Sequence, residues 1–223
     1  KIIDDEVSEV LTGRHVNIEI FPLSFSELLD FRSIDHTGLD IMKNRIEIKK
    51  TFKEYCKWGG FPEIMLSVSQ ELRKNLLIRY FQDILIKDVV RRYNVSDIDK
   101  MEMLAHLYVT GICDIQSFNK LKGRISSSLD TVERYSSFLQ RGRLFFFLDK
   151  FDWSKWKQID SRKKVYVCDP GLYTMKGFKF SENRGKVMEN LVAIELLRRK
   201  TDDSELYYWR DYNDHEIDFV VKE

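Results

Sequence analysis

The sequence predicts a mainly α-helical fold of the α+β class, and three features of its hydrophobic pattern support this prediction. From Leu72 to Tyr93 the apolar residues recur at every third or fourth position, which is the period of an amphipathic helix. Between residues 98 and 170, three shorter helical patterns precede two strand-like runs, and this order is typical of a winged helix-turn-helix. From Asn183 a further helical pattern extends to Lys200, and two alternating runs typical of strands follow it.

The N-terminal part of the chain adds shorter elements. Residues 16–22 alternate apolar and polar side chains, which predicts a strand. Ser24 followed by Glu27 fits a capping box, the side-chain pattern that opens many helices, and predicts a short helix directly after it. A longer helix is predicted over residues 40–58, because two glycines end the pattern there.

The composition is that of an ordinary globular protein. Its 223 residues are 43% apolar and 33% charged, enough to bury a core. No apolar run approaches the roughly 18 residues of a membrane helix, and the first residues lack the pattern of a signal peptide. Cys56, Cys113 and Cys168 are odd in number and widely spaced, which argues for a reducing compartment. We therefore expect a cytoplasmic protein, truncated at both ends since it lacks an initiator methionine and stops within a strand-like run.

Charge is balanced overall but segregated along the chain. The totals are 37 basic and 36 acidic side chains. Residues 120–164 hold twelve basic against five acidic side chains, whereas residues 201–223 hold two against eight. Residues 1–48 are also acidic, with five basic and ten acidic side chains. This segregation indicates separate modules with different partners.

The basic segment coincides with the predicted winged helix, which makes that unit the candidate site for nucleic acid. Ser128 and Thr131 open its third helix, where hydroxyl and backbone N–H groups can meet phosphates. Trp153 and Trp156 lie among the cations of the predicted wing and can stack on exposed bases. The basic residues assigned to phosphate contacts are Arg124, Arg134, Lys155, Lys157, Arg162, Lys163 and Lys164. The alternative is a protein-docking module, because a lysine-rich hairpin is also an ordinary solvated surface.

Five segments resemble one protein family. The run GRHVNIEIFPLSFSELLDF is similar to the stretch of archaeal and bacterial AAA-type ATPases that joins the last core strand to the helical lid. Four further segments resemble the domain of unknown function that follows such ATPase cores: YFQDILIKDVVRRYNV, KVYVCDPGL, ENLVAIELLRR and HEIDFVV. The resemblance is collinear and covers nearly the whole chain. It implies an end of the ATPase core with its lid in residues 1–66, a connecting helix in 67–97, the winged helix in 98–170 and an α/β unit in 171–223.

The resemblance also implies nucleotide-related roles. It places Arg14 where such ATPases carry an arginine that reaches the γ-phosphate bound by a neighbour. It places Gly59, Gly60 and Pro62 in a lid motif that lies against adenine. A surface arginine and a plain helix-terminating turn are the alternatives. Because the sequence contains no G-x-x-x-x-G-K-[ST] motif, we expect ATP and Mg²⁺ to belong to the parent protein and no cofactor to belong to these residues.

The last helix and two strands resemble the first half of the restriction-endonuclease-like nuclease fold. In that fold a helix glutamate and a strand aspartate help to bind Mg²⁺, and Glu189 and Asp218 match those positions. The strand with a Glu-x-Lys motif that normally follows is missing, so we expect weak metal binding at most and no nuclease activity. An ordinary carboxylate at a sheet edge is the alternative for Asp218. Glu195 falls on the apolar face of the same helix and is expected to pair with a nearby arginine.

Together these features lead to one functional expectation with two alternatives. We expect the DNA-binding, winged-helix part of a AAA-type ATP-binding protein, accompanied by a degenerate nuclease-like region. The first alternative is an interaction or adaptor module of a toxin–antitoxin or signalling ATPase. The second alternative is a metal-dependent nuclease.

Overall fold

The computed structural model describes residues 19–175 and 184–223, and it confirms a mainly helical α+β fold. The helices are α1 Phe25–Phe31, α2 Asp40–Lys43, α3 Arg45–Trp58, α4 Pro62–Leu66, α5 Gln70–Asp83, α6 Ile98–Thr110, α7 Phe118–Arg124, α8 Leu129–Arg141, α9 Lys155–Ile159, α10 Pro170–Thr174 and α11 Arg184–Arg199. The strands are β1 Ile115–Gln116, β2 Phe145–Lys150, β3 Lys163–Val167, β4 Glu205–Arg210 and β5 Glu216–Lys222. Of the strand predicted over residues 16–22, only residues 19–22 are described, and they are not in a strand.

The predicted capping box is present at α1. The backbone N–H of Glu27 donates to Ser24 Oγ at 3.1 Å, and the backbone N–H of Ser24 donates to Glu27 Oε2 at 2.7 Å. Both backbone groups would otherwise lack a partner at the start of the helix. The sequence therefore places this helix correctly from two residues alone.

Two predicted helices differ from their prediction. The helix predicted over residues 40–58 is divided at Asn44 into two helices. The side-chain amide of Asn44 donates to the Asp35 carbonyl at 2.7 Å, and such bonds to nearby backbone compete with helix formation. The long helix predicted from Leu72 to Tyr93 continues beyond α5 as a π-helical turn, Ile84–Val90. A π-helix widens the hydrogen-bonding interval to five residues, and a pattern of apolar residues does not reveal that change.

The predicted winged-helix order is observed between α6 and β3. Strands β2 and β3 form an antiparallel hairpin in which Phe145 lies opposite Val167. Strand β1 pairs antiparallel with β3, with Ile115 opposite Lys164. Helices α6 and α8 pack on this three-stranded sheet, and α7 packs against α8. The wing between β2 and β3 contains α9. Both β1 and α9 were missed because two- and five-residue elements carry no periodic signal.

The sheet continues across the predicted boundary at residue 170. Strand β2 also pairs with β4, in parallel, so that Asp149 lies opposite Tyr207. Strand β5 then pairs antiparallel with β4, which gives the order β1-β3-β2-β4-β5. One cluster of buried apolar side chains extends from Leu28 in α1 to Tyr208 in β4. The described units therefore share one sheet and one core.

Polar contacts fix α11 against the rest of this core. Asn190 is fully buried, and its side-chain amide both donates to and accepts from the backbone of Val167, at 3.0 and 2.9 Å. At the other end of α11, Arg198 donates to the Pro22 carbonyl at 2.6 Å. Glu195 accepts from Arg199 at 2.6 Å, so the predicted pairing of this glutamate is confirmed. Helix α11 is thus attached to both β3 and the N-terminal segment.

We expect Asn190→Ala to lower the free energy of unfolding by about 2–4 kcal/mol, because two buried backbone groups of Val167 would lose their partner. Asn119→Ala is the matched control, since Asn119 is exposed on α7 and its loss should change stability by less than about 0.5 kcal/mol. Urea denaturation of both variants measures the difference. Equal stability of the two variants would contradict the anchoring role of Asn190.

Candidate functional site

The third helix of the predicted winged helix is α8, and Ser128 and Thr131 lie at its start as predicted. The backbone N–H of Thr131 donates to Ser128 Oγ at 3.1 Å, and the two hydroxyl oxygens lie 2.9 Å apart. Asp130 and Glu133 are exposed in the first turn, and Arg134 lies 3.8 Å from Asp130. The outward face of this turn therefore carries mixed charge.

Cations without a carboxylate partner lie on both sides of α8 and on the wing. All are exposed, and none forms an ion pair with the residues that the structure describes: Lys120, Lys122, Arg124, Arg141, Lys157 and Arg162. Lys155, also on the wing, is 3.8 Å from Glu205 and remains mostly exposed. Three of the wing cations predicted to contact phosphate, Lys155, Lys157 and Arg162, are thus accessible for that role.

The other two wing lysines are already paired. Lys163 donates to Asp149 Oδ1 at 2.6 Å and to the Ile159 carbonyl at 3.1 Å. Lys164 is only 1% exposed and surrounded by carboxylates. The expectation that both lysines contact phosphates does not fit these positions, because Lys164 is buried and the ammonium group of Lys163 is paired with Asp149.

Two tryptophans of the wing are turned to solvent. Trp153 is 91% exposed and Trp156 is 79% exposed. The rings of Phe151 and Trp153 pack edge to face, with their centroids 5.3 Å apart. The two indoles therefore leave apolar surface of the wing exposed to water.

Lys164 lies at the centre of a cluster that the sequence only partly predicted. Its Nζ is 2.8 Å from Glu189 Oε1, 2.5 Å from Glu216 Oε1 and 2.6 Å from Asp218 Oδ1. Glu189 comes from α11, whereas Glu216 and Asp218 are two residues apart on β5 and share one face of that strand. The Tyr166 hydroxyl donates to Glu189 at 2.9 Å.

The cluster is held together by charge around a buried ammonium group. Burial by itself lowers the pKa of Lys164, but the three carboxylate hydrogen bonds outweigh it and raise that pKa above its ordinary value. Burial raises the pKa of Glu189, while Lys164 and Tyr166 oppose that shift. The Arg210 guanidinium lies 3.8 Å from Glu216 and adds a second, more distant cation. Three carboxylates therefore depend on one ammonium for close compensation.

The predicted metal ligands are thus brought together around an ammonium group. Glu189 and Asp218 converge as the helix-and-strand placement predicted, but Lys164 lies between them. Within residues 19–175 and 184–223, no group of three or more His, Cys, Asp or Glu side chains has the arrangement of a metal site. Sequence reasoning missed Glu216 and the role of Lys164; the spacing of Glu216 and Asp218, two apart on a strand, was the available signal.

The predicted lid glycines contact a buried carboxylate of the protein itself. The backbone N–H groups of Gly60 and Gly171 donate to Asp169, at 2.6 and 2.8 Å. Gly59 has a φ of 78°, and a Cβ there would overlap the Asp169 carboxylate. Pro62 occupies the first turn of α4. A Cβ at Gly60 would overlap the Leu23 carbonyl oxygen, so close packing accounts for both glycines without a nucleotide. Arg14 lies outside the described residues.

We expect Gly59→Ala to lower the free energy of unfolding by about 2–4 kcal/mol, since the change adds both backbone strain and overlap with Asp169. Gly123→Ala is the control: Gly123 lies in α7 with open space around it, so alanine there should be neutral or stabilise by up to about 1 kcal/mol. Thermal and urea unfolding report both effects. A Gly59→Ala variant as stable as the wild type would contradict the close approach.

Asp169 should make stability depend on pH. Burial raises the pKa of Asp169 from 3.8 to about 7, although the hydrogen bonds from Gly60 and Gly171 lower it. Between about pH 4 and 7 the folded chain then keeps a proton that the unfolded chain loses, so the free energy of unfolding falls as pH rises through this window. Asp169→Asn cannot titrate, and urea denaturation from pH 4 to 8 should show a shallower decline for that variant. Parallel curves would refute the raised pKa.

Comparisons with known proteins identify two family models that match this chain. A model described as Domain of unknown function (DUF8612) matches residues 49–182, and one described as Domain of unknown function (DUF4143) matches residues 184–223. An uncharacterized protein of Methanocaldococcus jannaschii is 30% identical over 226 residues, which cover 99% of this chain and 50% of that protein. One of Haemophilus influenzae is 27% identical over 228 residues, covering 99% and 54%.

The chain spans about half the length of the curated relatives it matches. No solved structure matches it. In the described part of the chain, none of the helices combines the length and the apolar character needed to cross a membrane.

Proposed function

We propose that this chain, which belongs to the DUF8612 family, is the nucleic-acid-binding part of a larger ATP-dependent protein. The observation that carries this proposal is the set of exposed, unpaired cations around α8 and on the wing. Among the described residues these cations have no carboxylate partner, so their charge is available to phosphates. Neutralising phosphates releases counterions, which drives most nucleic-acid binding.

The charges of α8 indicate different contacts for its first turn and for the residues that flank it. A recognition helix places its N-terminal residues at base edges in the major groove. Asp130 and Glu133 at this end repel phosphates, but a carboxylate can accept a hydrogen bond from the cytosine amino group. Phosphate contacts then come from Arg124, four residues before the cap of α8, and from Arg141 at its other end. The wing adds Lys157.

The exposed indoles extend the same surface. Trp153 and Trp156 flank Lys155 on the wing, so aromatic faces and cations alternate along it. Stacking of a base on an aromatic side chain contributes about 1–3 kcal/mol and tolerates any sequence. We therefore infer that the wing contacts unpaired or distorted nucleic acid, in addition to the phosphates of a duplex.

Two facts support an ATP-dependent parent protein. Domains of the DUF4143 family are often found after AAA-type ATPase domains. The relatives are about twice as long as this chain, which leaves room for such a domain. In this proposal ATP and Mg²⁺ bind outside the described residues.

A protein-docking module is the second candidate. Trp153 and Trp156 favour it, because exposed tryptophans are also typical anchors of protein interfaces. The pairing of Lys163 and Lys164 with carboxylates reduces the positive charge that the wing offers to phosphates. The two candidates differ in how strongly binding depends on salt.

For the nucleic-acid proposal, we expect binding to a 20-base-pair duplex to weaken steeply between about 50 and 200 mM salt. Replacing Lys122, Arg124 and Lys157 by Ala should weaken binding to unrelated sequences alike. The slope of log affinity against log salt should fall by between about 2 and 3, since each phosphate contact contributes about 0.9. Fluorescence anisotropy at several salt concentrations measures both quantities.

The charge-matched control replaces Lys49, Lys50 and Lys53 by Ala. These lysines are exposed on α3, so the variant loses the same charge but should keep the wild-type slope. Trp153→Ala with Trp156→Ala should weaken binding to a single strand more than to the duplex. No wild-type binding at 50 mM salt, or equal loss in both lysine variants, would instead favour the docking module.

A further inference from the structure

Lys164 has the hydrogen-bonding pattern of a fully coordinated cation. An ammonium group carries three N–H donors and no acceptor. Glu216 and Asp218 accept hydrogen bonds from it at 2.5 and 2.6 Å, and Glu189 Oε1 forms an ion pair with it at 2.8 Å. The lysine side chain is 1% exposed, whereas the side chains of Glu216 and Asp218 are 29% and 52% exposed, so the ammonium is buried beneath carboxylates that water reaches. We propose that Lys164 is the permanent cation of a three-carboxylate site and thereby closes that site to divalent metal ions.

The contacts of Lys164 with the three carboxylates are those of an ammonium group. Its Nζ lies 2.5–2.8 Å from one oxygen of each, which is the ordinary length of a charged hydrogen bond or ion pair. Magnesium demands a near-ideal octahedral arrangement of oxygen ligands, whereas calcium accepts more ligands in a flexible geometry. A metal ion in the place of Nζ, held by three carboxylates that were not arranged for it, would therefore bind as Ca²⁺ in preference to Mg²⁺.

Displacing Lys164 in the wild-type chain is unfavourable. The lysine would have to leave its three partners, and its buried position offers no water to solvate the charge. If the lysine stayed, an added divalent ion would meet a positive charge at close range. Tyr166 and Asn190 add further constraints, because they bind Glu189 and the backbone of β3 next to it. The convergence of Glu189 and Asp218 thus does not imply a metal site in the native protein.

We expect the loss of the Lys164 ammonium group to open the three-carboxylate site to divalent metal ions. In Lys164→Ala the three carboxylates would face a vacated space, and among the described residues Arg210, 3.8 Å from Glu216, would be the remaining counter-charge. Three oxygen ligands from two elements, completed by water, are sufficient for a calcium ion. The proposal is independent of nucleic-acid binding, since none of these residues belongs to the exposed cations around α8.

The test compares wild type and Lys164→Ala by calorimetric titration with CaCl₂ and with MgCl₂. We expect no binding below millimolar concentration in the wild type. The variant should bind Ca²⁺ more tightly than Mg²⁺, and its melting temperature should rise by roughly 5–10 °C when Ca²⁺ is present at about 100 times its Kd. Lys163→Ala is the control, because Asp149 is the one carboxylate that pairs with Lys163 among the described residues. It should gain no calcium response.

If Lys164→Ala is unfolded without metal, calcium should restore the helical circular dichroism of that variant, because its folding would depend on the ion. A second variant keeps the test decisive in that case. Lys164→Ala combined with Glu216→Gln and Asp218→Asn should fold without Ca²⁺ and bind none. Micromolar metal binding by the wild type would overturn the proposal, as would a Lys164→Ala variant that ignores both ions.

Discussion

A buried ammonium group must find negative partners, and at Lys164 this requirement connects three parts of the chain. Transfer of one uncompensated charge from water into a protein costs several kcal/mol. Lys164 lies on β3, its partners lie on α11 and β5, and all three contacts are shorter than 3 Å. The inner strand of the wing is therefore bound to the C-terminal unit by charge as well as by the shared sheet. Movement of the wing as an independent hairpin would break this compensation.

The segment from Lys164 to Asp169 is consequently the structural centre of the fold. Val167 binds Asn190 of α11, and Asp169 binds the backbone of Gly60 near the N-terminal helices. Within six residues this segment contacts the turn between α3 and α4, helix α11 and strand β5. The proposed nucleic-acid surface lies beside it, on α8 and on the wing that joins β2 to β3.

Sequence reasoning succeeded where the signal is local and failed where it is not. The capping box at Ser24 and the helix order of the winged helix depend on near neighbours in sequence. The partners of Lys164 are 25, 52 and 54 residues away, beyond any local pattern. One warning was nevertheless present, because Lys163 and Lys164 are adjacent on a predicted strand and must point to opposite faces. Both cannot lie on one phosphate-binding surface, whatever the total charge of the segment.

The segregation of charge along the sequence has a different meaning once the fold is known. The basic residues 120–164 and the acidic residues 201–223 were interpreted as modules for separate partners. Lys164 binds Glu216 and Asp218, and Lys155 approaches Glu205, so the two segments in part compensate each other inside one molecule. The charge offered to an external partner is what remains after these pairs are removed. Among the described residues of this chain, the charges left without an intramolecular partner include the cations beside α8 and on the wing. The number of charged residues in a segment is therefore evidence for a partner only after the intramolecular ion pairs have been taken into account.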